Sequence, residues 1–574
     1  MNADELLRSY ERVADAPDAL ARLRRFVLDL AVRGKLVAQD ATEEPASELL
    51  VRFALEKERL VTAGELRKPR DLDDGGDIVE AFPIPANWRW VRLDAIGAIV
   101  GGGTPAASSP DNFAEPGEGV PWLTPADLGG YSAVYISRGA RDLSESGSDS
   151  SSATVMPAGT VLFTSRAPIG YVAIAANPIS TNQGFKSIVP YLIECSRFVA
   201  LVMRAFAPDI NARASGTTFK EVSGKIVAAV PVPLPPVTEQ HRIVAKVDEL
   251  MALCDRLDAA RAIREAARDR LAAASLARLN APDPQTLHED ARFALDALSA
   301  LTTRPDQIKQ IRQTILNLAV RGKLVAQEAK DGTGHELIAA SKKSRSEWEV
   351  NGRIRKGKGT PVPVLGEERY LESPISWTWA RLSEIGLTQT GTSPSSAAPE
   401  LFGDFIPFVK PSDLDGKEVK YDGPGLSEAG IAHSRLAAAY SVLMVCIGGT
   451  LGKVNTTTRP VCFNQQINAL TPFLPGLSGY VALALKASDF QSLAWDRAGV
   501  GTLPIISKGK WEVLPIPLPP LAEQQRIVAK VHELMALCDR LEASLASTDT
   551  HRRRLLEALL HNALQPSNLA LATA

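Results

Sequence analysis

Several residue sets in this chain of 574 residues have the types for chemistry, and each falls short of what that chemistry needs. Gly448 to Lys453 (GGTLGK) has the glycines and lysine of a phosphate-binding loop, whose backbone N–H groups cradle an anion. That loop also needs glycine at position 447, which is isoleucine, and Ser or Thr at 454, which is valine. Its counterpart around Gly170 has no lysine, so both stretches read as turns between strands. Asp413, Glu418 and Lys420 have the types of a metal-dependent nuclease, but their spacing is too tight, and Gly129 to Ala133 replace them in the other half of the chain. Gly101-Gly102-Gly103 lacks the rest of a dinucleotide fingerprint. His241, His532, His551 and His561 lie on helical segments with no ligand partner at helical spacing, so they read as solvated or interfacial rather than metal-bound. There is no Gly-x-Ser-x-Gly elbow, and no Asn/Asp-Pro-Pro-aromatic tetrad of the kind that grips a flipped base. By its motifs the chain has no active site and no metal site, and it binds no cofactor of its own.

What remains is polar recognition capacity in two stretches, 84–236 and 373–520. Candidate DNA readers in the first are Ser165, Arg166, Asn182, Gln183, Lys186, Thr217, Thr218 and Lys220. In the second they are Lys410, Thr450, Lys453, Asn464, Gln465, Gln466, Asn468, Thr502 and Lys508. Arg and Lys suit guanine edges or phosphates, and Asn and Gln can grip adenine through two hydrogen bonds. A second reading stands beside this one: the echoed Asn182-Gln183 and Asn464-Gln465 pairs tie down turns, and Arg166 and Lys453 belong to matching turns. The formal net charge of −2 does not advertise a nucleic-acid partner. Each stretch carries eleven Lys/Arg and eleven Asp/Glu, so contact with DNA requires a sorted face.

The elements that must position these residues come in duplicate. Leu30 to Gln39 (LAVRGKLVAQ) recurs as Leu318 to Gln327. Trp88-Arg89-Trp90 answers to Trp377-Thr378-Trp379, and Pro125-Ala126-Asp127-Leu128 to Pro411-Ser412-Asp413-Leu414. Ile243 to Leu257 matches Ile527 to Leu541 except at Asp248 and His532, each copy following a Pro-Leu-Pro-Pro turn (Pro233 to Pro236, Pro517 to Pro520). Matches of this length in fixed order mark an internal repeat. Between these anchors the copies diverge, as expected of two modules with one fold and different surfaces.

Pro17 and Pro305 suit the first turn of a helix, and Gly34 and Gly322 its C-terminal cap. Ile243, Val247, Leu250, Cys254 and Leu257, repeated as Ile527, Val531, Leu534, Cys538 and Leu541, alternate spacings of four and three. That is a coiled-coil seam. The first long helix is expected to run to about Leu279 and the second to Leu564, with glutamates Glu239 and Glu523 near the positive ends of their dipoles. Two such helices can pair antiparallel. The expected class is mixed α/β (α+β): two globular modules with a curved β core, separated by long helices. The divisions are an N-terminal helical region 1–60, a module 84–236, a helical spacer 237–328, a charged connector 329–372 mobile around Arg353 to Thr360, a module 373–520 and a spacer helix 521–565. Five cysteines without paired spacing read as reduced thiols, and the absence of a leader or a long apolar run predicts a cytoplasmic protein with no membrane association.

The twofold Pro-Leu-Pro-Pro turn leading into Glu-Gln-x-Arg-Ile-Val (Pro233 to Val244, Pro517 to Val528), the two Trp-x-Trp starts and the duplicated Leu-Ala-Val-Arg-Gly-Lys-Leu helices resemble the specificity subunits of type I restriction–modification enzymes. The resemblance covers essentially the whole chain. It implies that each module is a target-recognition domain reading one half of a bipartite double-stranded DNA target. It also implies that the near-identical helices, with the seam residues above, are spacers that dock two methyltransferase subunits. Those partners bring S-adenosylmethionine, and restriction subunits add ATP- and Mg-dependent translocation and cleavage. The alternatives are a bivalent scaffold for proteins or glycans, and an enzyme with an unrecognised site.

Overall fold

The computed structural model describes residues 15–16, 18–65, 78–215, 220–280, 286–298, 302–355, 362–499 and 503–564. Pro17, Thr217, Thr218 and Thr502 lie outside these, as do 356–360 of the stretch expected to be mobile. The fold comprises two units, Met1–Ile263 with Asp549–Ala574 and Arg264–Thr548.

In each unit the repeated decamer closes a short helix, Ala19–Val32 in one and Pro305–Val320 in the other, with Pro305 in the first turn as expected. Both helices end on a glycine at φ +65°, Gly34 and Gly322, and the next amide folds back: Lys35 N–H bonds the Leu30 carbonyl and Lys323 N–H the Leu318 carbonyl, both at 3.0 Å. A second constraint fixes these glycines. A Cβ on Gly34 would lie 2.5 Å from Pro85 Cγ, and one on Gly322 would lie 2.5 Å from Pro374 Cγ.

The repeat extends further than the sequence matches. Helix Ala46–Thr62 in the first unit and helix Gly334–Val350 in the second each bury a leucine near the start, Leu49 and Leu337, in the unit's main core. The stretch 329–372 is therefore not merely a charged connector: a capping box from Thr333 and Glu336 starts a helix that packs on the module.

The Trp-x-Trp and Pro-Leu-Pro-Pro segments are strand partners, so the second is not only a turn. Arg89–Arg92 runs antiparallel to Pro231–Leu234, and Thr378–Arg381 to Pro515–Leu518. Proline is tolerated because each pair is an isolated two-stranded ribbon, in which every strand has a free edge. Each ribbon delivers the chain into a long helix, Val237–Asn280 or Leu521–Leu564.

One buried carboxylate joins these repeated pieces. Glu239 accepts from Trp88 Nε1 at 2.9 Å and from Gln39 Nε2 at 2.5 Å. Glu523 accepts from Trp377 Nε1 at 3.0 Å and from Gln327 Nε2 at 3.1 Å. Both glutamates are at most 1% exposed, so the role is a cross-link rather than a dipole effect at the surface. The neighbours follow suit. Gln240 and Gln524 donate to the carbonyls of Pro235 and Pro519. Arg242 bonds the Ala38 carbonyl and Glu43, and Arg526 bonds the Ala326 carbonyl and Asp331.

The seam faces its own unit. Ile243 and Val247 sink into the first unit's core, and Ile527, Val531 and Cys538 into the second's. Cys254 is also buried, while Leu250, Leu257, Leu534 and Leu541 are half-buried. Arg24 on the first short helix bonds Asp255 and Asp258, and Arg312 on the second bonds Asp539 and Glu542. Asp248, at the one position where the fifteen-residue copies differ, takes both oxygens to Arg197 of the module helix Ser196–Ala212 at 2.6 and 2.7 Å. The far ends of the long helices are tied as well. Leu556 and Leu559 pack with Ala16 and Ala19 in the first unit, and Asn280 bonds Thr314 and Asn317 in the second.

Each module hangs a bent assembly of sheets on this frame. In the first, the strand order is Gly97–Gly101, Lys186–Pro190, Val161–Phe163, Val172–Ala175 and Tyr135–Ile136, with a second sheet of four short strands beside it. In the second, Gly386–Thr390, Ile467–Pro472, Val442–Val445 and Val454–Thr456 repeat the first four strands. All five cysteines are buried and free, and burial pushes Cys195 and Cys446 up to about 12, which removes them from thiolate chemistry. Among the described residues no helix is long and apolar enough to cross a membrane.

Replacing Glu239 by alanine strands the Trp88 indole N–H in a dry site. Denaturant titration should show a loss on the order of 3 kcal/mol. The acid dependence has a definite sign. Burial raises both carboxyls above the ordinary value of 4.5, outweighing the bonds that lower them. The folded chain thus holds these protons to higher pH than the unfolded chain, and the pair stabilises least above the raised values. The stability of the wild type relative to a Glu239→Gln/Glu523→Gln double variant should therefore rise as pH falls toward 4.5, by the same titration.

Candidate nucleic-acid interface

At one end of each module a glycine lets two strands cross. A Cβ on Gly102 would lie 2.1 Å from the Asn182 carbonyl oxygen, and one on Gly391 would lie 2.1 Å from that of Asn464. Gly103 N–H and Thr392 N–H then bond the carbonyls of Thr181 and Phe463 at 2.9 and 3.0 Å. The glycine triplet is a close approach of backbones, not a nucleotide fingerprint.

The asparagines hold the turns on which they stand. Asn182 Oδ1 accepts from Gly184 N–H at 2.8 Å, and Asn464 Oδ1 accepts from Gln466 N–H at 3.1 Å while its amide donates to Gln466 Oε1. Both side chains tie turns. Gln183 and Gln465, at the turn tips, are exposed. Gln183 accepts from Thr104 Oγ1, and Gln465 from Ser393 Oγ at 2.6 Å. Thr104 and Ser393 carry no motif in the sequence, although each stands two residues after its crossing glycine.

Two further candidates are buried. Ser165 is fully buried; its N–H and Oγ both bond the Gly184 carbonyl, and its own carbonyl accepts from Val222 N–H. Asn468 is 2% exposed and bonds Thr390 Oγ1 between paired strands. The GGTLGK loop is a hairpin turn between Val442–Val445 and Val454–Thr456, as expected. Several of its amides hold the turn itself in place: Gly448 N–H bonds Pro504, Leu451 N–H bonds Gly448 and Gly452 N–H bonds Val445. Asp413 caps its own turn by accepting from Lys410 N–H at 2.8 Å, as Asp127 does from Thr124 N–H at 2.6 Å, which accounts for the Pro-x-Asp-Leu echo without a nuclease.

The charged candidates do gather at this end. In the first module Arg166 and Lys186 flank Glu221, at 4.0 and 3.4 Å, and Lys220 is exposed beside them. In the second, Lys508 bonds Glu512 at 2.5 Å, Glu512 also accepts from Thr388 Oγ1, and Thr450 and Lys410 are exposed. Lys453 occupies the place of Tyr171: Val445 N–H bonds the Lys453 carbonyl as Thr164 N–H bonds that of Tyr171. Nothing in the local sequence flagged Tyr171, Glu221 or Glu512, because their partners lie on other strands or loops.

Among known families, the model described as "Type I restriction modification DNA specificity domain" matches residues 85–264 and again 374–547. The chain belongs to that family. The type I restriction enzyme EcoEI specificity subunit of Escherichia coli is 26% identical over 579 residues, 95% of this chain and 94% of that protein. The MjaIX specificity subunit of Methanocaldococcus jannaschii is 40% identical over 167 residues, 28% of this chain and 37% of its own length. A chain solved in work on complex assembly and conformational transition of the type I R-M system shares the fold, with a TM-score of 0.50 and 20% identity over 84% of this chain and 99% of that one. Sequence-specific DNA recognition is the function this membership carries, and none of these relatives favours a scaffold for proteins or glycans.

For this specificity subunit, the turn ties separate structure from reading. Asn182→Ala and Asn464→Ala should each lower stability by about 1 kcal/mol and leave the recognised bases unchanged. Thermal melts and methylated-base mapping check the two halves of that statement.

Proposed function

We propose that each unit reads one half of a bipartite, asymmetric double-stranded DNA target, and that the chain itself catalyses nothing. One observation carries this reading. The tie of Gln39, Trp88 and Glu239 is reproduced by Gln327, Trp377 and Glu523, while the ends of the two modules present different side chains. One frame made twice with two different readers suits a target of two unlike halves. Linking two readers also makes the second binding event intramolecular, which raises avidity without new contacts.

In this reading the long helices set the gap and offer equivalent surfaces to two copies of one methyltransferase subunit. Ile243, Val247, Cys254, Ile527, Val531 and Cys538 are buried inside the chain, so docking falls to the exposed flanks of the helices. Lys246 and Glu249 lie there in the first helix, matched by Lys530 and Glu533, with Leu253 and Leu537 at 41% and 40% exposure. The partners bring S-adenosylmethionine for adenine methylation, and restriction subunits bring ATP- and Mg-dependent translocation and cleavage. Such a complex would work on DNA in the cytoplasm.

Methylated adenines mapped in the host genome should form a two-part motif with a fixed gap; an undivided motif would sink the proposal. Exchange of residues 84–236 for those of a relative should change the bases of one half only. Lengthening the first long helix beyond Asp258, past its bond to Arg24, should change the gap and leave both halves intact.

A further inference from the structure

The two modules share a backbone at the candidate interface but deliver charge to it differently. In the first, Glu221 is held from both sides. Its N–H and carbonyl exchange bonds with Ser215 at 2.9 and 3.2 Å, its backbone bridges Arg166, and the next amide, Val222 N–H, bonds the Ser165 carbonyl. Its carboxylate then stands between two cations, Lys186 Nζ at 3.4 Å and Arg166 Nη1 at 4.0 Å. All three remain open to solvent, with side-chain exposures of 42% for Glu221, 33% for Arg166 and 18% for Lys186.

The second module moves the same chemistry onto another element. The place of Glu221 is taken by Ile505, since Ile506 N–H bonds Cys446 as Val222 N–H bonds Ser165. The place of Lys186 is taken by the buried Asn468: Lys186 pairs with Gly101 just before the crossing Gly102, and Asn468 with Thr390 just before Gly391. A cation returns from the short helix Lys508–Glu512, whose first residue corresponds to Gly224, where an added Cβ would lie 3.8 Å from the Lys186 stem. It again faces a carboxylate, Glu512.

An arginine and a lysine alone at a DNA surface bind phosphates of any sequence. A fixed carboxylate between them repels phosphate, holds the guanidinium fork in one direction and can itself accept from the cytosine N4 amino group. We propose that Glu221 is a specificity-determining residue of the first module, which makes Arg166 and Lys186 selective for base edges over phosphates, and that Glu512 does the same for Lys508 in the second. This rests on the reading that each unit recognises one half-site.

The test uses the full chain assembled with its methyltransferase subunits, a duplex bearing the mapped wild-type motif and a scrambled duplex of equal length. Glu221→Gln should bind the scrambled duplex about tenfold tighter at 0.1 M salt, with a salt dependence steeper by one to two phosphate contacts. The methylated motif should relax at positions within one half, leaving the other half and the gap as they were. Glu512→Gln should relax only the opposite half. An unchanged ratio of target to scrambled affinity in folded Glu221→Gln, or relaxation spread over both halves, overturns the proposal. Should Glu221→Gln fail to fold, Arg166→Ala decides. It must relax the half that the first module reads, and an unaltered motif overturns the proposal. The half-site reading fails separately, if the wild-type motif itself is undivided.

Discussion

A carboxylate buried between an indole and an amide is the constraint on which the rest of each unit depends. Glu239 and Glu523 sit one turn into long helices, yet they bond a tryptophan at the start of a strand and a glutamine beyond the end of a short helix. An acceptor that is dry and shared by two donors cannot be moved without stranding both. The entry angle of each long helix is thereby locked to the ribbon that precedes it and to the decamer some two hundred residues earlier. Most of the near-identity of the repeats follows. Leu-Ala-Val-Arg-Gly-Lys-Leu needs Gly34 or Gly322 against a proline ring, Glu-Gln-x-Arg needs its partners in the decamer, and Trp-x-Trp needs the proline-rich strand opposite.

Identity between the copies therefore has two sources. Residues turned inward are kept alike by these ties, and only those turned outward, such as Lys246, Glu249 and Leu253 with Lys530, Glu533 and Leu537, are left to explain by a common partner. The mismatch at Asp248 and His532 obeys the same logic, because Asp248 answers to an arginine of its own module. Divergence within the modules is likewise graded. Crossing glycines, turn asparagines and turn-capping aspartates recur, since each serves the backbone, whereas charged side chains at the same end, such as Arg166 and Lys186, do not.

That arrangement explains how a neutral module serves DNA. Arg166, Lys186 and Lys508 each stand beside a carboxylate, which tempers the diffuse positive field that binds any phosphate backbone. A specificity subunit benefits from such restraint, because its task is discrimination.

By itself the sequence determined the duplication, the class of fold, the family, and the long helices nearly to their ends, Asn280 and Leu564 against an expected Leu279 and Leu564. These depend on local periodicity and on long matches, both of which survive without three-dimensional information. Tertiary structure alone decided which polar residues were free to read DNA. Ser165, Asn182, Asn464 and Asn468 have the right chemistry, but Ser165 is buried, the side-chain oxygens of Asn182 and Asn464 are tied to turn amides, and Asn468 is buried between strands. It also decided that the seam faces its own core, and that 334–350 belongs to the repeat. The physical reason is the same in each case. A period reveals that a face is apolar, and a residue type reveals what it can bond, but which segment covers that face or takes that bond is set by chain topology across scores to hundreds of residues.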